Sequence, residues 1–195
     1  YLVKKGWRSV VISSGGKLEQ RLVRQGSLHI NLPSHTKNPL RWFDLKAQYE
    51  KIFFQEKPDI IHVRSRVPAW TAGTVAQKMK IPLVSTIHGS YLAGSVLKKL
   101  YNNASIKADK IIAISNYVKD NILRVHPDKS SLIEVIHRGA DINLFNPEKI
   151  AKSRIIQMSE MFQLPDDKKI IMMPARPSGW KGHEILIRAF SKINN

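Results

Sequence analysis

The sequence predicts an α/β fold with a parallel, doubly wound β-sheet, followed by the beginning of a second unit of the same kind. Short apolar runs rich in β-branched residues alternate with longer segments of helical period. Proline or glycine falls at the junctions, as at Gly6, Pro58 and Pro82. Near-continuous apolar runs are typical of strands covered on both faces. With 195 residues, the chain can form one domain and part of another.

Six apolar runs are predicted as strands, in chain order: 10–12, 60–63, 83–84, 111–114, 133–136 and 170–173. Between them, apolar residues recur at the spacing of one helical face. Five such faces predict helices, and their members are Leu45, Tyr49, Ile52 and Phe53; Ala72, Val75 and Met79; Val118, Ile122 and Val125; Ile155, Met158 and Phe162; Ile185, Ala189 and Ile193.

A turn-rich passage, residues 137–149, predicts a boundary between two domains. We assign residues 1–146 to the first domain, and residues 147–195 to a linker helix and the beginning of a second domain. The second part offers one strand, one loop and one helix after residue 169. That is too little to form a core of its own.

The charge of the chain is strongly positive, with 32 Lys and Arg against 15 Asp and Glu, a net charge of +17. Such a balance favours an anionic partner, either nucleic acid, phospholipid headgroups or phosphorylated substrates, although a solvated lysine-rich surface is an equal alternative. No block of basic residues interleaves with aromatic ones, so no specific nucleic-acid partner is expected. The chain has no cysteine, which excludes disulfides and thiolate metal sites.

The loop at residues 175–182 predicts a binding site for a diphosphate. It follows the last predicted strand and precedes a helix, which is where ligands bind in open parallel sheets. Arg176 offers a planar fork and Lys181 a point charge, while Gly179 and Gly182 permit close approach of the backbone. A surface loop with two solvated cations is the alternative.

Five segments in order along the chain resemble the retaining glycosyltransferases of family 4, which have the GT-B fold of two Rossmann-like domains. They are "KPDIIHVRSRVPAW", "IPLVSTIHGSY", "ADKIIAISNYVKDNI", "VIHRGADINLFNP" and "MPARPSGWKG". The resemblance implies transfer of a sugar from a nucleotide-sugar donor to a glycan or lipid-linked acceptor, with retention. By the same resemblance, the first domain is the acceptor side and the second binds the donor.

The resemblance also assigns site residues. Arg176 and Lys181, with Gly182, would bind the donor diphosphate and neutralise the charge of the leaving group, so no metal ion or other cofactor is expected. His88 would be the catalytic residue, pointing into the cleft between the domains, where it contacts the transferred sugar or assists the acceptor. Further candidates for the cleft or the acceptor site are Gly89, Arg64, Arg66, Ser115, Arg138 and Gly139.

Several of these residues have structural alternatives. Arg64 and Arg66 end a predicted strand and either bind an anionic acceptor or lie in a solvated loop. Ser115 is expected first as a helix N-cap. We interpret His62 as a core residue or one that supports the site from behind. Trp70 is expected to pack, and Trp180 is the better candidate for a sugar platform.

The resemblance implies that the family's first strand, ahead of Tyr1, and its paired glutamates, beyond Asn195, are missing. The absent strand would leave a gap between strands two and four of the sheet, and this polypeptide alone is not expected to have transferase activity. A lipopolysaccharide-like acceptor and a cytoplasmic location, peripheral on the inner membrane, fit the positive charge. Two alternatives stay open, a non-catalytic basic binding module and a sugar-nucleotide epimerase of the GT-B fold.

Overall fold

The structure, a computed structural model, describes residues 1–89 and 101–193. Its backbone contacts divide the chain into two compact units, Tyr1–Gly139 and Ala140–Asn195. All of the described strands lie in the first unit, and they form parallel sheets connected by helices. The α/β class predicted from the sequence is therefore confirmed.

The larger sheet of the first unit has four parallel strands in the order β3–β4–β5–β6. They are β3 (Ile61–Val63), β4 (Leu83–Ile87), β5 (Lys110–Ala113) and β6 (Ile133–Val135). Four of the predicted runs are confirmed as these strands. Because the strands run in one direction, their carboxyl ends meet at one edge, where the following loops can form a ligand site.

The smaller sheet has two parallel strands, β1 (Val10–Ser13) and β2 (Leu28–Asn31). Their register places Val10 opposite Leu28. Among the described residues, neither strand pairs with the larger sheet. The described strands of the first unit therefore form two separate sheets. That a strand ahead of Tyr1 would join them stays a prediction.

The helices that connect these strands include α1 (Glu19–Arg24), α2 (Arg41–Glu56), α3 (Arg66–Trp70), α4 (Ala72–Lys78) and α5 (Asn116–Leu123). The predicted faces of α2, α4 and α5 are confirmed by their buried residues. Lys57 ends α2 in the left-handed conformation, with φ of 46°, immediately before Pro58. Within the described ranges, no helix is both long and apolar enough to cross a bilayer.

The core of the first unit lies between the larger sheet and the helices that cover it. Its most deeply buried side chains include Leu45, Ala76, Leu83, Ile111 and Ile122, each at most 2% exposed. Burying one large aliphatic side chain contributes about 1.5–3 kcal/mol. This core therefore fixes the strand ends from which the candidate site residues project.

The second unit contains two helices, α6 (Lys152–Met161) and α7 (His183–Ser191), and none of its described residues is buried. The strand predicted at residues 170–173 is wrong, since this segment has no regular secondary structure. Ile170, Ile171 and Met172 are 49%, 60% and 69% exposed. A strand needs a neighbour for its backbone donors and acceptors, and no strand is described in this unit.

Candidate functional site

A cavity of about 430 Å³ opens at the carboxyl edge of the larger sheet. Two of its walls are formed by residues that come directly after strands of the sheet. Arg64 and Arg66 come after β3, and His88 and Gly89 come after β4. Further lining residues come from the loop after β2 and from the ends of other elements: His35, Lys37, Thr86 and Tyr101. The topology therefore brings four of the predicted site residues to one cavity.

His88 is held on both sides of its ring. Arg138 Nη2 lies 2.8 Å from His88 Nδ1, and because an arginine can only donate, Nδ1 accepts and carries no proton. The backbone carbonyl of Arg64 accepts a hydrogen bond from the ring, which leaves Nε2 as the protonated nitrogen. His88 is thus a neutral imidazole with a fixed tautomer.

The charges around His88 reinforce this state. Partial burial lowers the pKa of His88 below its usual value, and the nearby charges of Arg138 and Arg64 lower it further. The bond to the Arg64 carbonyl acts in the opposite direction. Release from Arg138 would be needed before Nδ1 could accept a proton from a substrate.

His62 is exposed, so the interpretation of this residue as part of the core is wrong. β3 forms an edge of the four-stranded sheet, and this face of the strand is not covered. His62 Nε2 lies 2.7 Å from Thr86 Oγ1 on the neighbouring β4. Partial loss of water around the ring lowers the pKa of His62, and the charge of Arg64 lowers it further.

Arg64, Arg66 and Lys37 are all exposed to solvent at the cavity. The guanidinium of Arg66 lies over the ring of Tyr101, 5.9 Å from its centroid. Trp70 packs as predicted, because its ring stacks on Trp42 with the centroids 6.0 Å apart. Its Nε1 donates to the Tyr101 carbonyl at 2.9 Å. An aromatic wall therefore supports the cationic part of the cavity.

Ser115 and Gly139, two other predicted site residues, are not part of the cavity lining. The hydroxyl of Ser115 accepts a hydrogen bond from the Val118 N–H at 3.3 Å, which confirms it as the N-cap of α5. A Cβ added at Gly139 or at Gly89 would meet no described atom within 4 Å. Neither glycine has a positive φ. No positive φ therefore requires a glycine at position 89 or 139.

The loop predicted to bind a diphosphate lies in the second unit and has an exposed Arg176 and an exposed Lys181. One short 3-10 turn, Gly179–Lys181, leads to Gly182, which has φ of 80° and caps α7. A side chain would be strained at that φ. Lys181 Nζ lies 4.0 Å from the centroid of the Trp180 ring, which is itself 75% exposed. In the part of the chain that the structure describes, no ion pair neutralises either cation of the loop.

A further polar cluster, which the sequence did not predict, joins β1, β2 and α1. Ser13 Oγ lies 2.8 Å from His29 Nε2, and His29 Nδ1 lies 3.2 Å from Glu19 Oε1. The side chain of His29 is only 4% exposed, and Ser13 Oγ also accepts from the Gly15 N–H at 3.3 Å. These bonds fasten the glycine-containing loop after β1 to the neighbouring strand.

Comparison with known proteins identifies the family. The sequence model of glycosyltransferase family 4 matches residues 1–144, most of the chain. The chain belongs to glycosyltransferase family 4. The match includes the cavity, His88 and Arg138, and it ends before the loop that carries Arg176 and Lys181.

Solved structures with the GT-B fold resemble this family 4 chain. A glycosyltransferase from Rickettsia africae ESF-5 has a TM-score of 0.81 and 33% identity, over 99% of this chain and 51% of that one. Anabaena HepE in complex with UDP-glucose has a TM-score of 0.74 and 21% identity, over 94% and 49%. The GT-B fold expected from the resemblance is confirmed.

A curated relative is the D-inositol 3-phosphate glycosyltransferase of Mycolicibacterium smegmatis. It is 24% identical over 147 residues, which are 69% of this chain and 33% of the relative. The family 4 chain thus spans about a third of this curated relative and about half of the two solved structures. The roles of its individual site residues stay predictions.

Sequence reasoning missed the part of the cavity contributed by the loop after β2. His35 and Lys37 were not considered, because β2 itself was not predicted and its loop could not be assigned to the sheet edge. The signal was present in the alternation of Leu28, Ile30 and Leu32 with polar residues, which is the period of a half-buried strand.

Proposed function

We propose that this family 4 chain takes part in the transfer of a sugar from a nucleotide-sugar donor to a glycan or lipid-linked acceptor, with retention of configuration. The observation that carries the proposal is the cavity of the first unit. Its lining includes His88 and the arginines after β3, and His88 is in direct contact with Arg138. The complex of Anabaena HepE with UDP-glucose supports a nucleotide sugar as donor.

Arg176 and Lys181 are proposed to bind the donor diphosphate. Neither cation is engaged by a carboxylate among the described residues, so both are available to an anion. Negative charge develops on the diphosphate as the bond to the sugar breaks, and fixed positive charges stabilise that state. Two cations can supply this stabilisation, and the proposal therefore requires no metal ion.

His88 is proposed to orient groups in the site. With Nδ1 accepting from Arg138 and the ring donating to the Arg64 carbonyl, its nitrogens are engaged within the protein. The imidazole can fix the guanidinium of Arg138 and the main chain of Arg64, and its ring edge can contact a sugar. A base role would need the Arg138 contact to open.

The acceptor is proposed to be reached at an anionic surface in the cytoplasm, as for a lipopolysaccharide-like or other lipid-linked glycan. The net charge of +17 supports this, since lysine-rich surfaces are attracted to anionic leaflets. Each well-placed cation contributes about 1 kcal/mol near such a surface.

Calorimetric titration of the chain with UDP-glucose tests the donor site. We expect Arg176→Gln/Lys181→Gln to weaken binding at least about ten-fold, because charge-assisted hydrogen bonds contribute about 1.5–3 kcal/mol. The matched control is Lys168→Gln/Lys169→Gln, which removes two exposed charges from the same unit. An equal loss in the control, or no binding of UDP-glucose by the parent chain, would reject the proposed site.

A basic binding module without catalysis is the second candidate, favoured by the net charge alone. Its signature is different. Such a module would bind nucleic acid with a steep dependence on salt concentration and would not respond to UDP-glucose. The same titration, repeated with a short DNA duplex at two salt concentrations, separates the two candidates.

A further inference from the structure

We propose that the cavity at the carboxyl edge of β3 and β4 binds a phosphate group of the acceptor, through Arg64, Arg66 and Lys37. The proposal rests on the transferase function proposed above and names the class of acceptor, a phosphorylated one. It concerns residues of the first unit only.

The described lining of the cavity carries a net positive charge. Its lining contains the three permanent cations and no aspartate or glutamate. Among residues 1–89 and 101–193, none of these cations forms an ion pair. Residues 90–100, between the described ranges, contain no acidic residue that could supply one.

Other cations of the first unit differ in this respect. Arg8 pairs with Glu56, and Lys78 pairs with Glu50 at 2.8 Å. Acidic partners are scarce in a chain with a net charge of +17, yet they are placed beside these cations and not beside those of the cavity. The concentration of unpaired positive charge at one concave surface favours an anionic ligand.

Two of the three cations are arginines, and one of them contacts an aromatic ring. Guanidinium groups bind phosphate through two parallel hydrogen bonds, which a lysine cannot reproduce. Arg66 lies over the Tyr101 ring, and the main chain at Arg64 accepts a hydrogen bond from His88. The contact with Tyr101 limits the movement of the Arg66 side chain before a ligand arrives, which reduces the entropy lost on binding.

The number of cations and the volume of the cavity favour a phosphate monoester over a carboxylate or a small inorganic ion. A phosphate monoester carries a charge of about −1.5 to −2 near pH 7, which three cations balance better than they balance one carboxylate. The cavity volume of about 430 Å³ falls within the range of small-molecule sites, roughly 300–1,000 Å³. It has room for a phosphate together with a sugar ring.

Calorimetry with glucose 6-phosphate, inorganic phosphate and glucose as probes tests the inference on the full chain. We expect both phosphate-bearing probes to bind and glucose not to bind. Arg64→Gln/Arg66→Gln should reduce the affinity for glucose 6-phosphate about ten-fold or more. Lys37→Gln, in an exposed loop, should cause a smaller loss and serves as a second variant if the double variant does not fold.

The matched control is Arg24→Gln/Lys51→Gln, which removes two exposed charges of the same unit that do not line the cavity. Retained affinity in this control, with loss in the cavity variants, supports the site. Equal loss in both double variants shows attraction by net charge only and overturns it. Absence of phosphate binding by the parent chain, or equal binding of glucose, also overturns it.

The phosphate can belong to a soluble sugar phosphate or to a lipid headgroup, and vesicles separate these sources. Phosphatidylcholine vesicles with and without phosphatidic acid are sedimented with the parent chain and both double variants. A loss of binding to phosphatidic acid specific to the cavity variant identifies a lipid source. Equal vesicle binding by the two double variants, with phosphate binding lost only in the cavity variant, identifies a soluble acceptor.

These readouts are independent of the donor. Phosphate binding in the first unit can hold while UDP-glucose binding fails, in which case the donor site is wrong and the cavity assignment stands. The reverse result, UDP-glucose binding that depends on Arg176 and Lys181 without phosphate binding in the cavity, would overturn this inference alone.

Discussion

At the residue scale, the contact between His88 and Arg138 is the best-defined feature of the site. A guanidinium 2.8 Å from Nδ1 fixes the tautomer, and partial burial together with two arginine charges lowers the pKa of the ring. The sequence predicted both residues beside the cleft, on the basis of resemblance. It could not predict that they bond to each other, because they are 50 positions apart and meet only through the pairing of β4, β5 and β6.

The pKa of His88 predicts a dependence of stability on pH. A folded pKa below the usual value of 6.5 means that the unfolded chain takes up the proton first as pH falls. The contribution of the neutral ring to stability is therefore complete above 6.5 and is lost as pH falls through the folded pKa.

His88→Asn keeps an acceptor for Arg138 but does not titrate. We expect its melting temperature to decrease less than that of the parent chain when the pH is lowered from about 8 to about 5, the range in which histidine changes charge. Thermal unfolding followed by circular dichroism measures the difference. Parallel pH profiles for the two proteins would show that His88 is not the group responsible.

Gly15 is a glycine whose replacement is predicted to strain the backbone. It has φ of 78°, and a Cβ at this position would lie 2.9 Å from Glu19 Oε2. We expect Gly15→Ala to destabilise the chain by about 1–3 kcal/mol, from the strained backbone, plus displacement of the Glu19 carboxylate. Urea denaturation measures the loss of stability. Gly139→Ala is the control, because a Cβ at that position meets no described atom within 4 Å. Similar stabilities for the two variants would contradict the assignment.

At the scale of elements, the N-cap of α5 links a site residue to local stability. The Ser115 hydroxyl accepts from the Val118 N–H, and Ser115 has the extended backbone of an N-cap. We expect Ser115→Ala to cost about 0.5–2 kcal/mol and Ser115→Asp to retain most of the stability, because aspartate is an equally good cap. Denaturant unfolding of the two variants tests this. A loss of the same size in both would point to another role for the hydroxyl.

The strands that the sequence predicted correctly share one property: each finds a partner strand inside the first unit. The runs that became β3 to β6 pair with one another, and the apolar faces of α2, α4 and α5 cover them. The segment at 170–173 has the same composition but no described partner strand, so composition alone gave a wrong prediction there.

β2 was not predicted because its apolar pattern is short and mixed, although it has a partner strand. Its residues Leu28 and Ile30 alternate with His29 and Asn31, which is the period of a strand but over a short segment, and the pairing with β1 establishes the strand. Because α1 between them spans only six residues, it also lacks a strong helical period. The cavity residues that follow β2 were therefore not assigned to the sheet edge from the sequence.

At the scale of the whole chain, the two units differ in how much they bury. The first has a continuous core, whereas none of the described residues of the second is buried. We expect backbone amides of β4 and β5 to exchange with solvent far more slowly than those of α6 and α7, since local opening is easiest where few apolar contacts are broken. Hydrogen–deuterium exchange with mass spectrometry measures this. Equal protection in both units would contradict it.

The central claim is that an exposed loop with two cations, residues 175–182, recognises the diphosphate of a nucleotide sugar. Amide chemical shifts of the ¹⁵N-labelled chain, recorded during titration with UDP-glucose, test it most directly. The account predicts that the largest shifts fall in this loop and the first turn of α7, and that Arg176→Gln/Lys181→Gln abolishes them. Shifts spread over lysine-rich surfaces elsewhere, unchanged in that variant, would contradict it.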